Sequence, residues 1–184
     1  MKPSEQLKAE HEAILVILAV LEKICGKLER REKIPETHLP SILEFFQVFA
    51  DKCHHAKEEE FLFPAYQSVG IPNEGGPIGC MLAEHQEGRQ AIAGMKAGLE
   101  SMKKEGPQKF ISHARAYMDL LSAHIQKENE VLFPMGDSAL PAARQAKILQ
   151  DFDNLEETRI GSGKHEEFHR LIETLETAYL GESK

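Results

Sequence analysis

An eleven-residue phrase occurs twice in this chain, and it constrains the fold more than any other feature. Residues 54–64 read HHAKEEEFLFP and residues 124–134 read HIQKENEVLFP, with seven of eleven positions identical. A second shared phrase, AEH, precedes each copy and ends at His11 and at His85. The chain is therefore expected to repeat one plan over residues 1–70 and 78–135, with the Gly/Pro-rich stretch 70–77 between the halves.

Helical periodicity runs through both halves. Leu7, Ile14, Leu18, Leu21 and Cys25 share one stripe of a first helix over about residues 4–30, with Ser4 as its candidate N-cap. A second, from about Pro40 to Tyr66, stacks Leu43, Phe46, Ala50, His54, Glu58 and Leu62. Pro64 falls near its end, as a helix interior would not welcome it. A third, over about 78–104, turns Leu82, His85, Ile92, Met95 and Leu99 inward, and Gly106-Pro107 stops it. The fourth, over about 108–133, aligns Phe110, Ala114, Tyr117, Leu121, His124 and Glu128. The expected fold is all-α, an antiparallel up-down four-helix bundle over 1–135. A C-terminal two-helix extension over 136–184 is expected to pack on it, with a short helix from Pro141 to Glu157, a Gly-Ser-Gly hinge at 161–163 and an amphipathic helix over 164–180.

Composition narrows the function. At 184 residues the chain can bury a core without disulfides. A net charge of −8 with no basic stripe argues against a nucleic-acid partner. No apolar run is long enough for a membrane span, and Ala13–Leu21 follows an acidic segment, so no signal peptide is expected. Cys25, Cys53 and Cys80 are odd in number and scattered, which suits idle thiols in a reducing cytoplasm.

The repeated residues carry the chemistry. A helix places His54 with Glu58, and His124 with Glu128, on one face about 6 Å apart along its axis. His11 and His85 add an inward imidazole from each remaining helix. Two carboxylates buried without cations would cost several kcal/mol each or be driven neutral. A pair of divalent ions resolves that conflict, and imidazole with carboxylate favours iron, with manganese or zinc as alternatives.

AEHE at 9–12, HHAKEEEFLFP at 54–64, EHQEGR at 84–89 and HIQKENEVLFP at 124–134 together resemble the hemerythrin-like family of HHE cation-binding domains. The tail GKHEEFHRLIETLE is also similar to the end of bacterial members. The resemblance implies two non-haem iron ions with an oxo, hydroxo or water bridge, held by His11, His54, Glu58, His85, His124 and Glu128, with Glu58 and Glu128 bridging. Oxygen carriers of the family use five histidines, a glutamate and an aspartate. Here Arg89 stands where their extra histidine is expected, and Glu128 replaces the aspartate. The remaining set of four histidines and two glutamates is that of the repair-of-iron-centres proteins, whose cysteine-bearing N-terminal domain is not expected here. The implied partner is a small molecule (oxygen, peroxide or nitric oxide), alongside a redox or iron-acceptor protein, with the chain a monomer or homodimer. Iron delivery, iron storage or iron–sulfur cluster repair is the alternative, and a metal-stabilised interaction module is the third reading.

Other features carry weaker expectations. HEEFH at 165–169 satisfies a metalloprotease pattern, but only fifteen residues follow it, and a partly exposed helix capping the bundle is expected instead. Cys53, His55 and Glu59 are offset about 100° from the ligand face; Cys53 is not expected to be a ligand, and His55 and Glu59 either pair with the ligands from behind or, as the pattern favours, lie on a solvated surface. Tyr117 either lines the pocket, as a donor to a bound oxygen species, or belongs to the core. Arg89 is expected to pair with an acidic neighbour or to gate the pocket.

Overall fold

The computed structural model describes residues 1–161 and 163–181, and among them there are helices and no strands. Helix α1 runs Pro3–Glu29 and α2 spans 38–68. Helix α3 runs Pro77–Glu105 and α4 spans 108–139. The four form the bundle; α5 (142–160) and α6 (Lys164–Leu180) lie on its outside, α6 against α1. Gly161 and Gly163 take positive φ angles of 87° and 88° at the expected hinge, with Ser162 outside the described residues.

Three expectations about element ends need correction. Helix α1 starts at Pro3, and the Lys2 backbone N–H donates to Glu5 at 2.8 Å. Ser4 is therefore not the cap; its hydroxyl donates to Asp137 of α4 at 2.8 Å. Helix α2 begins at His38, ahead of Pro40, because proline is tolerated in a first turn whose N–H groups have no helical acceptor. Helix α2 passes Pro64, as its expected end near Tyr66 requires, whereas α4 continues past Pro134 to Ala139, beyond its expected end near residue 133. The reason is a π-helical turn directly before each proline segment, at Glu58–Leu62 and Glu128–Leu132. The wider turn makes room for the ring and spares a hydrogen bond that proline cannot donate.

The core is two apolar layers with a polar layer between. One cluster gathers Ile14, Leu18, Phe46, Ala50, Ile92, Leu121 and Ile125, and α6 adds Phe168, Ile172 and Leu175. The other gathers Leu7, Leu62, Phe63, Tyr66, Met81, Leu132 and Phe133, and α5 adds Ile148 and Phe152. Each bundle helix passes from one cluster to the other through a histidine or a His/Glu pair: His11, His54–Glu58, His85 and His124–Glu128. The apolar layers keep water from both ends of that polar slice.

Candidate metal centre

Two groups of possible ligand atoms lie in the polar layer. His11, His54, Glu58 and Glu128 form one, and His55, Glu58, His85 and His124 the other, with one atom from each residue within 4.8 Å of the rest. Glu58 belongs to both. Its Oε1 lies 3.4 Å from His54 Nε2 and its Oε2 3.4 Å from His85 Nε2. Glu128 Oε2 lies 3.2 Å from His11 Nε2 and 3.3 Å from His124 Nε2. Every one of these side chains is nearly or fully buried.

The outward nitrogen of each repeat-plan histidine has its own acceptor. His54 Nδ1 pairs with Glu10 at 2.8 Å and His124 Nδ1 with Glu84 at 2.9 Å. His11 Nδ1 pairs with Asn129 Oδ1 at 2.9 Å and His85 Nδ1 with Glu59 at 2.7 Å. An acceptor there places the proton on Nδ1 and leaves the Nε2 lone pair facing the centre, the tautomer a metal ligand needs. Glu10 is in turn gripped by Lys57 and Glu84 by Lys127. The symmetry of this outer layer follows the sequence repeat, since Glu10 and Glu84 share the AEH phrase and Lys57 and Lys127 share the longer one.

The inner atoms are short of partners. His11 Nε2, His54 Nε2, both ring nitrogens of His55 and all four oxygens of Glu58 and Glu128 are buried with no hydrogen bond among the described residues. Each such orphan costs about 1–3 kcal/mol. His85 Nε2 and His124 Nε2, both lone-pair bearing in this tautomer, approach to 3.2 Å. Cations among these atoms resolve both conflicts, so the residues fit a metal.

Electrostatics describe the same strain. Burial, then the charge of Glu128, pushes the Glu58 carboxyl well above its usual range. Burial also acts upward on Glu128, but His124 and His11 outweigh it and hold that carboxyl low. Burial, with His11 beside it, takes His54 down to about 4. For His124 burial is outweighed by Glu128 and Glu84, and the imidazole rises to about 9, so that without a cation its Nε2 holds a proton that a metal ion would displace. Farther out, burial is overcome at Glu10 by His54 and Lys57, which hold it at about 2.

The structure thus brings His11, His54, Glu58, His85, His124 and Glu128 together. It corrects the expectation for His55, which is 4 % exposed and stacks on His85 with centroids 3.9 Å apart. The centre therefore gathers five histidines and two glutamates. The cause is the π-helix at Phe46–His55, whose wider turn brings two successive residues inward where an α-helix would turn one away. Glu59 takes the alternative setting, behind a ligand and off the solvated face: it accepts from His85 and from Arg89 Nη2 at 2.7 Å. Arg89 donates besides to Asp51 at 2.8 Å. Cys53 turns away, into a small cluster with Ala56 and Leu155. Tyr117 lies edge-on to Phe46 in the core. His165 rests against Phe49 and His169 is exposed, and neither joins a group of three possible ligands among the described residues.

The model of the hemerythrin HHE cation binding domain matches residues 2–136. Among curated proteins, the chain is 20% identical over 160 residues to the uncharacterized protein Rv1995 of Mycobacterium tuberculosis and to Mb2018 of Mycobacterium bovis. The matches cover 85% of this chain and 62% of those proteins, so the chain spans less than two thirds of their length. No solved structure gives a significant match. The family match covers all but the last three residues of the four-helix bundle and every residue of the buried centre, and the chain belongs to the hemerythrin HHE cation-binding family.

Proposed function

We propose that the chain is a non-haem di-iron protein that binds, senses or detoxifies a small molecule: oxygen, peroxide or nitric oxide. His11 and His54 would hold one ion and His85 and His124 the other, with Glu58 and Glu128 shared between them and His55 completing the second group. The observation that carries this reading is the shared position of Glu58, whose two oxygens face histidines of different groups while neither has a hydrogen-bond partner among the described residues. When bound, ferrous iron supplies open coordination positions and electrons for a diatomic or peroxide ligand. The chain supplies the remainder. Glu10, Glu59, Glu84 and Asn129 fix the imidazoles, and the apolar layers exclude bulk water and any large substrate.

Iron delivery is the second reading, favoured by unequal cover. Lys57 is fully enclosed beneath Glu156 of α5, whereas the Lys127 side chain is 42% exposed, which leaves the Glu84–His124 flank near solvent. Metal analysis with visible spectra under nitrogen, air and nitric oxide separates the two. Two irons per chain with bands that respond to air or nitric oxide support the small-molecule site. Transfer of iron to an apo-cluster acceptor, with no spectral response to either gas, supports delivery.

A further inference from the structure

The two copies of the repeat diverge three residues past the shared Phe, where the first has Tyr66 and the second Gly136. These positions are coupled in space. A Cβ at Gly136 would lie 2.0 Å from Cε1 and Cζ of the Tyr66 ring, so the second copy gives up its side chain to house the phenol of the first. The ring belongs to the apolar layer whose Phe63 and Phe133 stack on His85 and His11, at 5.9 and 5.6 Å. Tyr66 is 0% exposed and its hydroxyl has no hydrogen-bond partner among the described residues, although a buried phenol normally finds one. Asp137 is engaged by Ser4 and Lys2. The other carboxylates whose charges reach the phenol are Glu58 and Glu128, and their oxygens are unpartnered as well.

We propose that Tyr66 donates a hydrogen bond to the small ligand held at the centre, which makes the site selective for a compact hydrogen-bond acceptor, an anion such as azide being the simplest probe. The proposal rests on the centre holding metal. The cations satisfy the carboxylate oxygens, which leaves the Tyr66 hydroxyl as an unpartnered donor in the apolar layer next to the centre, and a small acceptor bound there would take its hydrogen bond. Tyr117 does not share this role: its hydroxyl is also unpartnered, but the carboxylate that acts on it is Asp51, outside both ligand groups.

Tyr66→Phe in the iron-loaded, air-oxidised protein provides the test, because the ring and its fit over Gly136 remain. The variant is expected to keep wild-type iron content and to bind azide about tenfold more weakly, the loss of one hydrogen bond. Its melting temperature should be unchanged or higher than wild type without metal, where the hydroxyl has no partner, and lower with zinc bound, where water supplies one. Unchanged azide affinity at full iron content overturns the proposal. So does a phenolate-to-ferric absorption band that the variant loses, since Tyr66 would then be a ligand. A wild-type protein that takes up no metal overturns the reading beneath it, and metal analysis shows that before any azide is added.

Discussion

At the scale of single residues, the centre is a set of imidazoles each aimed by one acceptor. Glu10 is the most tightly held of these, since it serves His54 and Lys57 from a buried position. Its carboxyl sits at about 2 against an ordinary 4.5. A depressed carboxylate stabilises the fold at pH above 4.5, and that contribution disappears as pH falls through 2. At about 1.4 kcal/mol per pH unit, the contribution at neutral pH is about 3 kcal/mol. Glu10→Gln should therefore lower the stability of the metal-free protein in urea by about that amount at pH 7 and converge on wild type near pH 2. A constant difference across the range would mean that Glu10 acts through shape alone. The roles of Glu10, Glu84, Lys57 and Lys127 were written in the repeat, as residues common to both copies. Periodicity could not assign them, because it does not distinguish a charged side chain bonded to a buried partner from one in water.

At the scale of elements, the α-helical period was a good guide wherever the helix is α. It aligned Leu7, His11, Ile14, Leu18 and Leu21 on α1, all of which are buried. On α2 the period places His54 and Glu58 correctly and His55 wrongly, since Phe46–His55 is π-helical and no residue pattern announces the wider turn. The same cause hid the continuation of α4 through Pro134. Deleting the exposed Lys52 removes one residue from that π segment and restores α pitch. Circular dichroism should show the helix content retained while His54 and His55 lose their common inward setting, with metal content falling to about half or below. Full metal content in the deletion variant would show that the π turn is dispensable to the site.

At the scale of the molecule, near-symmetric halves are made unequal by the C-terminal helices. Helices α5 and α6 add Phe152, Phe168 and Leu175 to the core and set Glu156 over Lys57, while Lys127 has no such cover. The amphipathic stripes made these helices legible, but which half they cover depends on tertiary contact that no local pattern encodes. Breaking a buried ion pair leaves a partner charge stranded, at about 3–5 kcal/mol, whereas an exposed pair is worth about 0–1 kcal/mol. Lys57→Met should thus destabilise far more than Lys127→Met in urea unfolding. Equal losses would indicate that the tail leaves the two halves equally open.

The most direct test of the account is anomalous diffraction at the iron edge from crystals of protein purified without chelator. Two peaks are expected within the buried layer, one among His11, His54, Glu58 and Glu128 and one among His55, His85, His124 and Glu58. A single peak, or metal found only outside these residues, would contradict the dinuclear centre on which the functional reading stands.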